Sequence, residues 1–388
     1  MLTGRHGAAR RQRDPPRHAA SGTAGPLLTR APLHFHFKAR MNFQVHLQPS
    51  GQHFPCKAEE TILEAALRAG VGLPYSCRNG SCGACAATIA GGTVAYPGAA
   101  PRALTPEQAA RGVCLPCCAI ACTDVQLEAR EVAGNGDFPV RKMPCRVSAM
   151  QKLAPDVMQL TLQLAAGLQY RAGQYVDFML RDGTRRSYSV ANAPDQTGAL
   201  TLHIRHISGG RFSEQVFRAM QERDILRLEG PHGSFFLHED SDKPMLLLAT
   251  GTGFAPLKAM VEQLIALELP RPMVLYWGGR RPHDLYMDGL CREWVARLPH
   301  FRYVPVLSAP LAEDGWQGRV GHADRAAIAD FPDLSAHQVY ACGAPAMVES
   351  ARRDCVRLCQ LPEDEFYADI FVSPQEKKQA TPESGLRP

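Results

Sequence analysis

Four cysteines constrain this chain more than any other feature, because three of them lie within nine residues of one another. Cys77, Cys82 and Cys85 follow the spacing C-x4-C-x2-C, and a fourth cysteine lies far downstream. This is the ligand spacing of a plant-type [2Fe–2S] cluster. Gly80 and Gly83 permit the backbone angles that a loop needs to wrap around a cluster. The alternative, a set of ordinary buried thiols, does not explain three closely spaced cysteines on a glycine-punctuated loop.

The fourth ligand is less sharply defined than the first three. The downstream candidates are Cys114, Cys117, Cys118 and Cys122. The segment 112–119 resembles the G-x-x-L-x-C-x-A segment of plant-type ferredoxins, and this alignment selects Cys117. Cys118 then takes a position that a polar residue usually holds, and it stays open as the main alternative.

Length and composition indicate a globular protein of several domains. The 388 residues leave room for two or three domains with real cores. A hydrophobic content of 45% and a charged content of 21% are ordinary globular values. The thirteen cysteines are spread over a long chain that has no signal peptide. This favours metal ligands and reduced thiols over a disulfide scaffold. Since no apolar run reaches the length of a bilayer span, we expect a soluble, cytoplasmic protein.

The positive charge of the chain is concentrated in residues 1–40. This segment holds eight Lys and Arg residues against the single acid Asp14, so the net charge of +5 becomes −2 for the remainder. A near-neutral body does not support a nucleic-acid-binding surface. Residues 1–40 lack periodic apolar spacing and are interpreted as a disordered leader. It is either a transit peptide or, as we favour, an over-extended gene start with Met41 as the true initiator.

Three hydrophobic patterns divide the rest of the chain into domains. Residues 41–133 combine alternating strands with a short helix, whose capping box starts at Thr61, and predict a small α+β domain. In residues 138–240, segments that alternate with period two are separated by turn signals, as in an antiparallel β-barrel. In residues 243–372, apolar strands alternate with helices, which predicts an α/β domain with a parallel sheet. Residues 373–388 are interpreted as a loose tail.

Motifs in the two C-terminal domains indicate nucleotide chemistry only in combination. The R-S-Y-S motif at residues 186–189 ends a barrel strand, where an arginine can pair with a phosphate and a tyrosine offers a flat ring face. The glycine-containing segments 209–213 and 251–256 each precede a helical stretch, whose free N–H groups suit a diphosphate. Each motif alone is weak, because a surface strand end or a plain strand–helix turn would look the same.

The order of these motifs resembles the ferredoxin–NADP reductase superfamily. R-x-Y-S, G-G-x-F-S and G-T-G-x-A-P are followed by the segment 342–345, Cys-Gly-Ala-Pro. The cysteine loop adds an N-terminal domain that resembles plant-type ferredoxins, with their β-grasp fold. From Met41 to Val372, the layout is similar to the fused reductases that serve oxygenases and deoxysugar enzymes. The segments 276–286 and 366–371 most resemble the CDP-6-deoxy-delta-3,4-glucoseen reductase branch.

The resemblance implies a role for each motif residue. Arg186 and Ser213 would hold the flavin phosphates. Tyr188 would stack on the isoalloxazine ring, and Ser189 would face its N5 atom. Cys342 would lie beside the nicotinamide ring, so Ser189 and Cys342 are the implied catalytic residues. The implied cluster ligands are Cys77, Cys82, Cys85 and Cys117. The implied cofactor-binding residues are Arg186, Tyr188, Ser189, Gly210, Arg211, Phe212, Ser213, Gly251, Thr252, Gly253, Pro256, Cys342, Gly343 and Phe371.

The three domains together imply one electron path, from NAD(P)H through FAD and the [2Fe–2S] cluster to a partner protein. A flavin belongs between the other two groups because it exchanges both hydride and single electrons. The expected partner is an oxygenase or hydroxylase component or a deoxysugar dehydrase, which would dock on the cluster loop near Arg78 and Asn79. A stand-alone flavin, quinone or ferric reductase and a non-enzymatic redox-sensing module stay open as alternatives.

Three details of the cofactor sites are expected from the same resemblance. NADH is favoured over NADPH, and FAD over FMN. Phe371 would cover the second face of the flavin ring. Arg280 and Arg281 would either reach a ribose or a 2′-phosphate, or form a solvated loop.

Overall fold

The computed structural model describes residues 42–98, 100–134, 137–180, 182–195 and 197–372. The expected leader (residues 1–40), the expected initiator Met41 and the expected tail (residues 373–388) lie outside the described residues. The described part contains three large sheets within one compact unit.

The N-terminal sheet is mixed and carries a helix on one side, which confirms the expected β-grasp α+β fold. Its elements are β1 (Asn42–Gln48), β2 (His53–Lys57), α1 (Ile62–Arg68), β3 (Ala87–Gly91), β4 (Val94–Ala95), α2 (Pro106–Ala110), β5 (Val113–Cys114), β6 (Ile120–Ala121) and β7 (Val125–Glu128). The strand order is β2-β1-β7-β3-β5, and β1 and β7 are parallel. The expected capping box is confirmed: the Thr61 hydroxyl accepts from the Glu64 N–H at 3.2 Å, and the Glu64 carboxylate accepts from the Thr61 N–H at 2.9 Å.

The second sheet is the expected antiparallel barrel. Its elements are β8 (Arg141–Ala154), β9 (Val157–Leu164), β10 (Tyr175–Met179), β11 (Arg185–Ser189), β12 (Ala199–Arg205), α3 (Arg211–Arg218) and β13 (Ile225–His232). All neighbours in the order β11-β10-β13-β8-β9-β12 are antiparallel. A bridge between Val190 and Leu202 connects the two edge strands, so the sheet closes on itself around a core of alternating apolar residues.

The third sheet is parallel and buried on both faces, as its apolar strands predict. Its elements are β14 (Met245–Thr250), α4 (Phe254–Ala266), β15 (Met273–Gly279), α5 (Asp288–Arg297), β16 (Phe301–Leu307), β17 (Arg319–Val320), α6 (Ala323–Asp330), β18 (Gln338–Gly343), α7 (Pro345–Leu358) and β19 (Phe366–Ile370). The order is β17-β16-β15-β14-β18-β19. In β14, Leu247 and Ala249 face one core while Leu246 and Leu248 face the other. No helix in the described part of the chain combines the length and apolarity of a membrane span.

His203 lies in the interface between the barrel and the parallel sheet. It is on β12, and its Nδ1 lies 3.0 Å from the hydroxyl of Tyr286. Burial lowers the pKa of His203 to about 3, and the nearby Lys258 charge lowers it further in the same direction. The folded protein therefore keeps this ring neutral under mildly acidic conditions.

This histidine predicts a measurable pH dependence of stability. Because the pKa of His203 is depressed in the folded state, only the unfolded chain gains a proton there as the pH falls below about 6.5. The group should cost the protein about 2 kcal/mol of stability between pH 7 and pH 5. We expect His203→Gln to show a smaller loss of melting temperature than the wild type over that range. An identical loss in both proteins would contradict the assignment.

Candidate functional site

Four cysteine sulfurs converge where the sequence places a cluster. Cys77, Cys82 and Cys85 lie on the loop before β3, and Cys117 follows β5. The thiols of Cys117 and Cys82 hydrogen-bond to the sulfur of Cys77 and lower its pKa well below the ordinary value. The N–H of Ser81 also points at the Cys77 sulfur, at 3.3 Å. Four cysteines whose thiols interact in a chain from Cys82 through Cys77 and Cys117 to Cys85 fit the ligand set of a [2Fe–2S] cluster.

The geometry around Cys117 and Cys118 supports Cys117 as the fourth ligand. The Cys117 thiol interacts with those of Cys118, Cys77 and Cys85. The Cys118 sulfur lies 3.6 Å from that of Cys117, and among the loop cysteines it makes no other sulfur contact within the described residues. No three His, Cys, Asp or Glu side chains in the described part of the chain form a single-ion site.

The R-S-Y-S motif lies on β11 at the mouth of the barrel. Tyr188 packs beside Phe178 and Phe212, with ring centroids 6.0 and 5.3 Å away. The hydroxyl oxygen of Ser189 is buried and forms no hydrogen bond of normal geometry within the described residues, although the carboxyl group of Asp369 lies near it. A buried hydroxyl without a partner costs free energy unless a ligand satisfies it, so Ser189 fits a site for a flavin ring nitrogen. Arg186 is half-buried and donates to the Arg185 carbonyl at 2.8 Å.

The second flavin motif is placed by α3 and by the turn before it. The Ser213 hydroxyl accepts from the Ile207 N–H at 3.1 Å and lies 3.1 Å from the carbonyls of Ile207 and Gly210. It therefore holds its own turn, and the N–H groups of Gly209 and Gly210 are also bonded, to the Glu214 carboxylate at 3.2 Å and the Ile207 carbonyl at 2.8 Å. The N–H groups that could face a phosphate are those at the start of α3. Phe212 is buried against Phe178, and Arg211 is exposed and forms an ion pair with Asp182. Phe212 thus supports the site by packing.

The glycine segment after β14 lies against the end of β18. Gly251 and Gly253 form a short 3₁₀ turn that leads into α4. A Cβ at Gly253 would lie 2.2 Å from the Cys342 carbonyl oxygen, so only glycine fits this approach. The Thr250 hydroxyl accepts from the Ala344 N–H at 2.9 Å and ties the two strand ends together. Thr252 is half-buried, and Pro256 is buried in the first turn of α4.

A cavity of about 190 Å³ opens beside this segment at the carboxyl ends of the parallel strands. Ligands of open α/β sheets bind at such an edge, and the positive end of α4 favours a phosphate there. The residues that line it include Thr250, Gly251, Arg280, Ser308 and Asp324. The position of the cavity fits part of the expected nicotinamide dinucleotide.

Comparison with known proteins finds a family match for each of the three domains. The family described as "2Fe-2S iron-sulfur cluster binding domain" matches residues 45–122, "Oxidoreductase FAD-binding domain" matches 144–237, and "Oxidoreductase NAD-binding domain" matches 247–353. The CDP-6-deoxy-L-threo-D-glycero-4-hexulose-3-dehydrase reductase of Yersinia pestis is 40% identical, over 86% of this chain and 99% of its own length. The chain belongs to the family of fused iron–sulfur flavoprotein reductases.

Other members of this family serve oxygenases. Reductase component 2 of terephthalate 1,2-dioxygenase from Comamonas is 37% identical, over 86% of this chain and 98% of its own length. The crystal structure of an Amycolatopsis cytochrome P450 reductase is 33% identical, with a TM-score of 0.71 over 85% of this chain and 99% of that chain. The expected fold, the NAD(P)H-dependent oxidoreductase class and the three cofactors are thereby confirmed.

The reductase contains a buried carboxyl group that the motifs did not reveal. Asp369 is on β19, next to Cys342 of β18 in the strand register. It accepts a hydrogen bond from the hydroxyl of Ser76, one residue before Cys77, and the Ser189 hydroxyl also lies close to it. Burial raises the pKa of Asp369 to about 6. The resemblance placed only Phe371 of this segment in the site. The structure shows that Asp369 lies between Ser76, Ser189 and Cys342, which are beside the three expected cofactor sites.

The other residues expected in the site are Cys342, Gly343 and Phe371 near the ends of β18 and β19, and Arg280 and Arg281 after β15. Gly343 and Phe371 lie at the adjoining ends of β18 and β19, where the Phe371 N–H donates to the Gly343 carbonyl at 2.8 Å. Cys342 is fully buried, and burial raises the pKa of its thiol. Arg281 forms ion pairs with Asp314 and Glu313, so it is held away from the dinucleotide cavity that Arg280 lines.

Proposed function

We propose that this reductase takes electrons from NADH and delivers them singly, through its [2Fe–2S] cluster, to a partner protein. The observation that carries the proposal is the junction at Asp369, where the cluster loop, the barrel and the end of the nucleotide-binding sheet meet. When bound, FAD supplies the exchange between hydride and single electrons. The domains proposed for these tasks are residues 41–133, 138–240 and 243–372.

Each site residue of this reductase has a proposed task. Cys77, Cys82, Cys85 and Cys117 bind the cluster. Arg186 and the turn at 209–213 hold the flavin phosphates, Tyr188 supports the isoalloxazine ring, and the buried Ser189 hydroxyl binds the ring nitrogen. The segment 251–256 seats the diphosphate of the dinucleotide, and Cys342 with Gly343 borders its nicotinamide. Phe371 covers the second flavin face.

The choice of NADH rests on the charges around the dinucleotide cavity. A 2′-phosphate needs cationic partners in fork geometry, and Arg281 is already paired with two carboxylates. Arg205 and Arg280 also line the cavity, but Arg205 is paired with Asp284 and Asp156, and the carboxylate of Asp324 on the same wall disfavours a second phosphate beside Arg280. We propose the cytoplasm as the compartment, because all thirteen cysteines are free thiols.

We propose that the partner docks on the outer side of the cluster loop. Asn79 and Ala86 are exposed there, and Ala84 and Ala86 border a cleft of about 380 Å³ that extends between the iron–sulfur domain and the reductase domains as far as Ser234 and Phe366. Arg130 and Arg352 line this cleft and lie over the rings of Tyr367 and Phe366. The similar proteins act with dehydrases and oxygenases, so the partner is a dehydrase of a CDP-deoxysugar or an oxygenase component.

The proposed function is tested by comparing the electron acceptors that the protein reduces. NADH oxidation should be fast with ferricyanide, which takes electrons directly from a flavin, and with cytochrome c, which requires the cluster. A purified candidate partner should then turn over its substrate only when the reductase, NADH and an intact cluster are all present. Equal rates of cytochrome c reduction in cluster-free and cluster-loaded protein, with no partner that turns over, would instead identify a stand-alone flavin, quinone or ferric reductase. Failure of NADH to reduce any acceptor would indicate a redox-sensing module.

A further inference from the structure

The inner side of the cluster loop is bonded to the reductase domains. The Tyr75 N–H donates to the Ser234 hydroxyl at 2.8 Å, and the Ser234 N–H donates to the Tyr75 carbonyl at 3.1 Å. The Tyr175 hydroxyl donates to the Ser76 carbonyl at 2.6 Å. The residues immediately before the first cluster ligand are therefore fixed to the barrel end and to the segment that follows it.

Arg78, the residue after the first cluster ligand, turns inward as well. The sequence suggested that Arg78 lies on the partner-docking face, and the structure corrects this: its side chain is 24% exposed and forms an ion pair with Asp177 of β10. Its backbone φ is +52°, a left-handed conformation that is costly for a residue with a side chain. Such a conformation persists where surrounding contacts impose it, and the ion pair is such a contact.

Asp177 connects Arg78 to the flavin motif. Its side chain is 1% exposed, and its other oxygen accepts from the Ser187 hydroxyl at 2.6 Å. Ser187 lies between Arg186 and Tyr188, directly opposite Asp177 in the β10–β11 register. One buried carboxylate therefore contacts both the flavin strand and the residue next to Cys77.

The surroundings of Asp177 make Arg78 its principal counter-charge. The Arg185 guanidinium lies 3.7 Å from Asp177 but only 2.9 Å from Glu229, with which it pairs. His232 lies 3.9 Å away, and burial, with the charge of Arg78, lowers the pKa of His232 far below its ordinary value, so the ring is neutral. Removal of Arg78 would leave Asp177 buried with weak compensation, which disrupts the packing around it.

We infer that Arg78 is a positioning residue for electron transfer, and that its ion pair with Asp177 fixes Cys77 against the flavin strand. The inference rests on the proposed function. The transfer concerned moves one electron at a time from the flavin site to the cluster, and no bond is made or broken in it. Its rate depends on the relative placement of the two sites, which the Arg78–Asp177 pair sets.

The test uses full-length holoprotein and rapid anaerobic mixing with NADH. In Arg78→Gln, the flavin absorbance should bleach at the wild-type rate, whereas the cluster absorbance should bleach several-fold more slowly, because the rate of electron transfer falls as the separation between the flavin site and Cys77 grows. Arg78→Lys should recover part of the rate. Because Arg78→Gln leaves a buried charge, the double variant R78Q/D177N, which removes both charges, serves as a second slow-transfer protein.

A control variant and a second measurement distinguish a loss of loop positioning from general damage to the protein. Lys142→Gln removes an exposed cation that faces Glu229 and should leave both phases unchanged. Hydrogen exchange at the amides of residues 75–78 should be faster in Arg78→Gln than in the control. Wild-type cluster bleaching in both Arg78→Gln and R78Q/D177N, at full iron and sulfide content, would overturn the inference. If the wild-type cluster itself did not respond to NADH, the proposed function would fail, independently of Arg78.

Discussion

Cys117→Ser is expected to lose the [2Fe–2S] cluster, whereas Cys118→Ser is expected to keep it. The Cys117 sulfur contacts those of Cys77 and Cys85 and completes the set of four. A hydroxyl in its place is a poor ligand for a cluster that Cys thiolates hold. The variant should retain FAD and react with ferricyanide, but its iron and acid-labile sulfide should fall to a small fraction of the wild-type content, and cytochrome c reduction should fall with them.

Cys118→Ser is a matched control because it changes the same atom only 3.6 Å away. Its iron and sulfide content and its cytochrome c activity should remain at wild-type level. Cys82→Ser should behave like Cys117→Ser, since Cys82 also contacts the sulfur of Cys77. Retention of the cluster in Cys117→Ser together with its loss in Cys118→Ser would assign the fourth ligand to Cys118.

Gly253→Ala is expected to disable reduction by NADH while the cluster and the flavin remain in place. The added Cβ would lie 2.2 Å from the Cys342 carbonyl oxygen and 2.8 Å from the Gly343 nitrogen. These are backbone atoms that cannot rotate away, so the nucleotide segment must separate from the end of β18. Overpacking of this kind costs about 1–3 kcal/mol, and misplacement of the nicotinamide site by about 1 Å costs about 100-fold in rate.

Gly289→Ala provides the control for this change. Gly289 is in the first turn of α5, and a Cβ there would meet no atom within 4 Å. The control should keep the wild-type rate of NADH oxidation with ferricyanide. In Gly253→Ala that rate should collapse, although dithionite, which bypasses the dinucleotide, should still bleach both chromophores. A wild-type NADH rate in Gly253→Ala would show that the segment does not seat the dinucleotide.

Local sequence patterns predicted the fold correctly where each pattern is compatible with only one kind of structure. Leu246, Leu247 and Leu248 form a continuous apolar run because β14 is buried on both faces, and period-two segments gave the barrel. The cysteine spacing placed three sulfurs on one loop, since that loop is short and local. Features that depend only on residues close in sequence can be predicted without knowledge of the tertiary structure.

The contacts between domains could not be predicted from the sequence. Arg78 looked like a surface cation because nothing within the cluster loop pairs with it, and its partner Asp177 is 99 residues away. Asp369 carried no motif, and its role depends on Ser76, 293 residues earlier in the chain. Ser213 had a motif, but its hydroxyl is used by its own turn. Pairings of this kind arise only when the three sheets are assembled.

The most direct test is an anaerobic titration of the full-length holoprotein with NADH, followed by low-temperature EPR. We expect the flavin absorbance to bleach first and a rhombic signal of a reduced [2Fe–2S] cluster to appear as further NADH is added. That signal should be absent from Cys117→Ser. A protein that contains full iron, sulfide and FAD, and whose flavin bleaches with NADH while no cluster signal develops, would contradict the proposed delivery of electrons through the iron–sulfur domain.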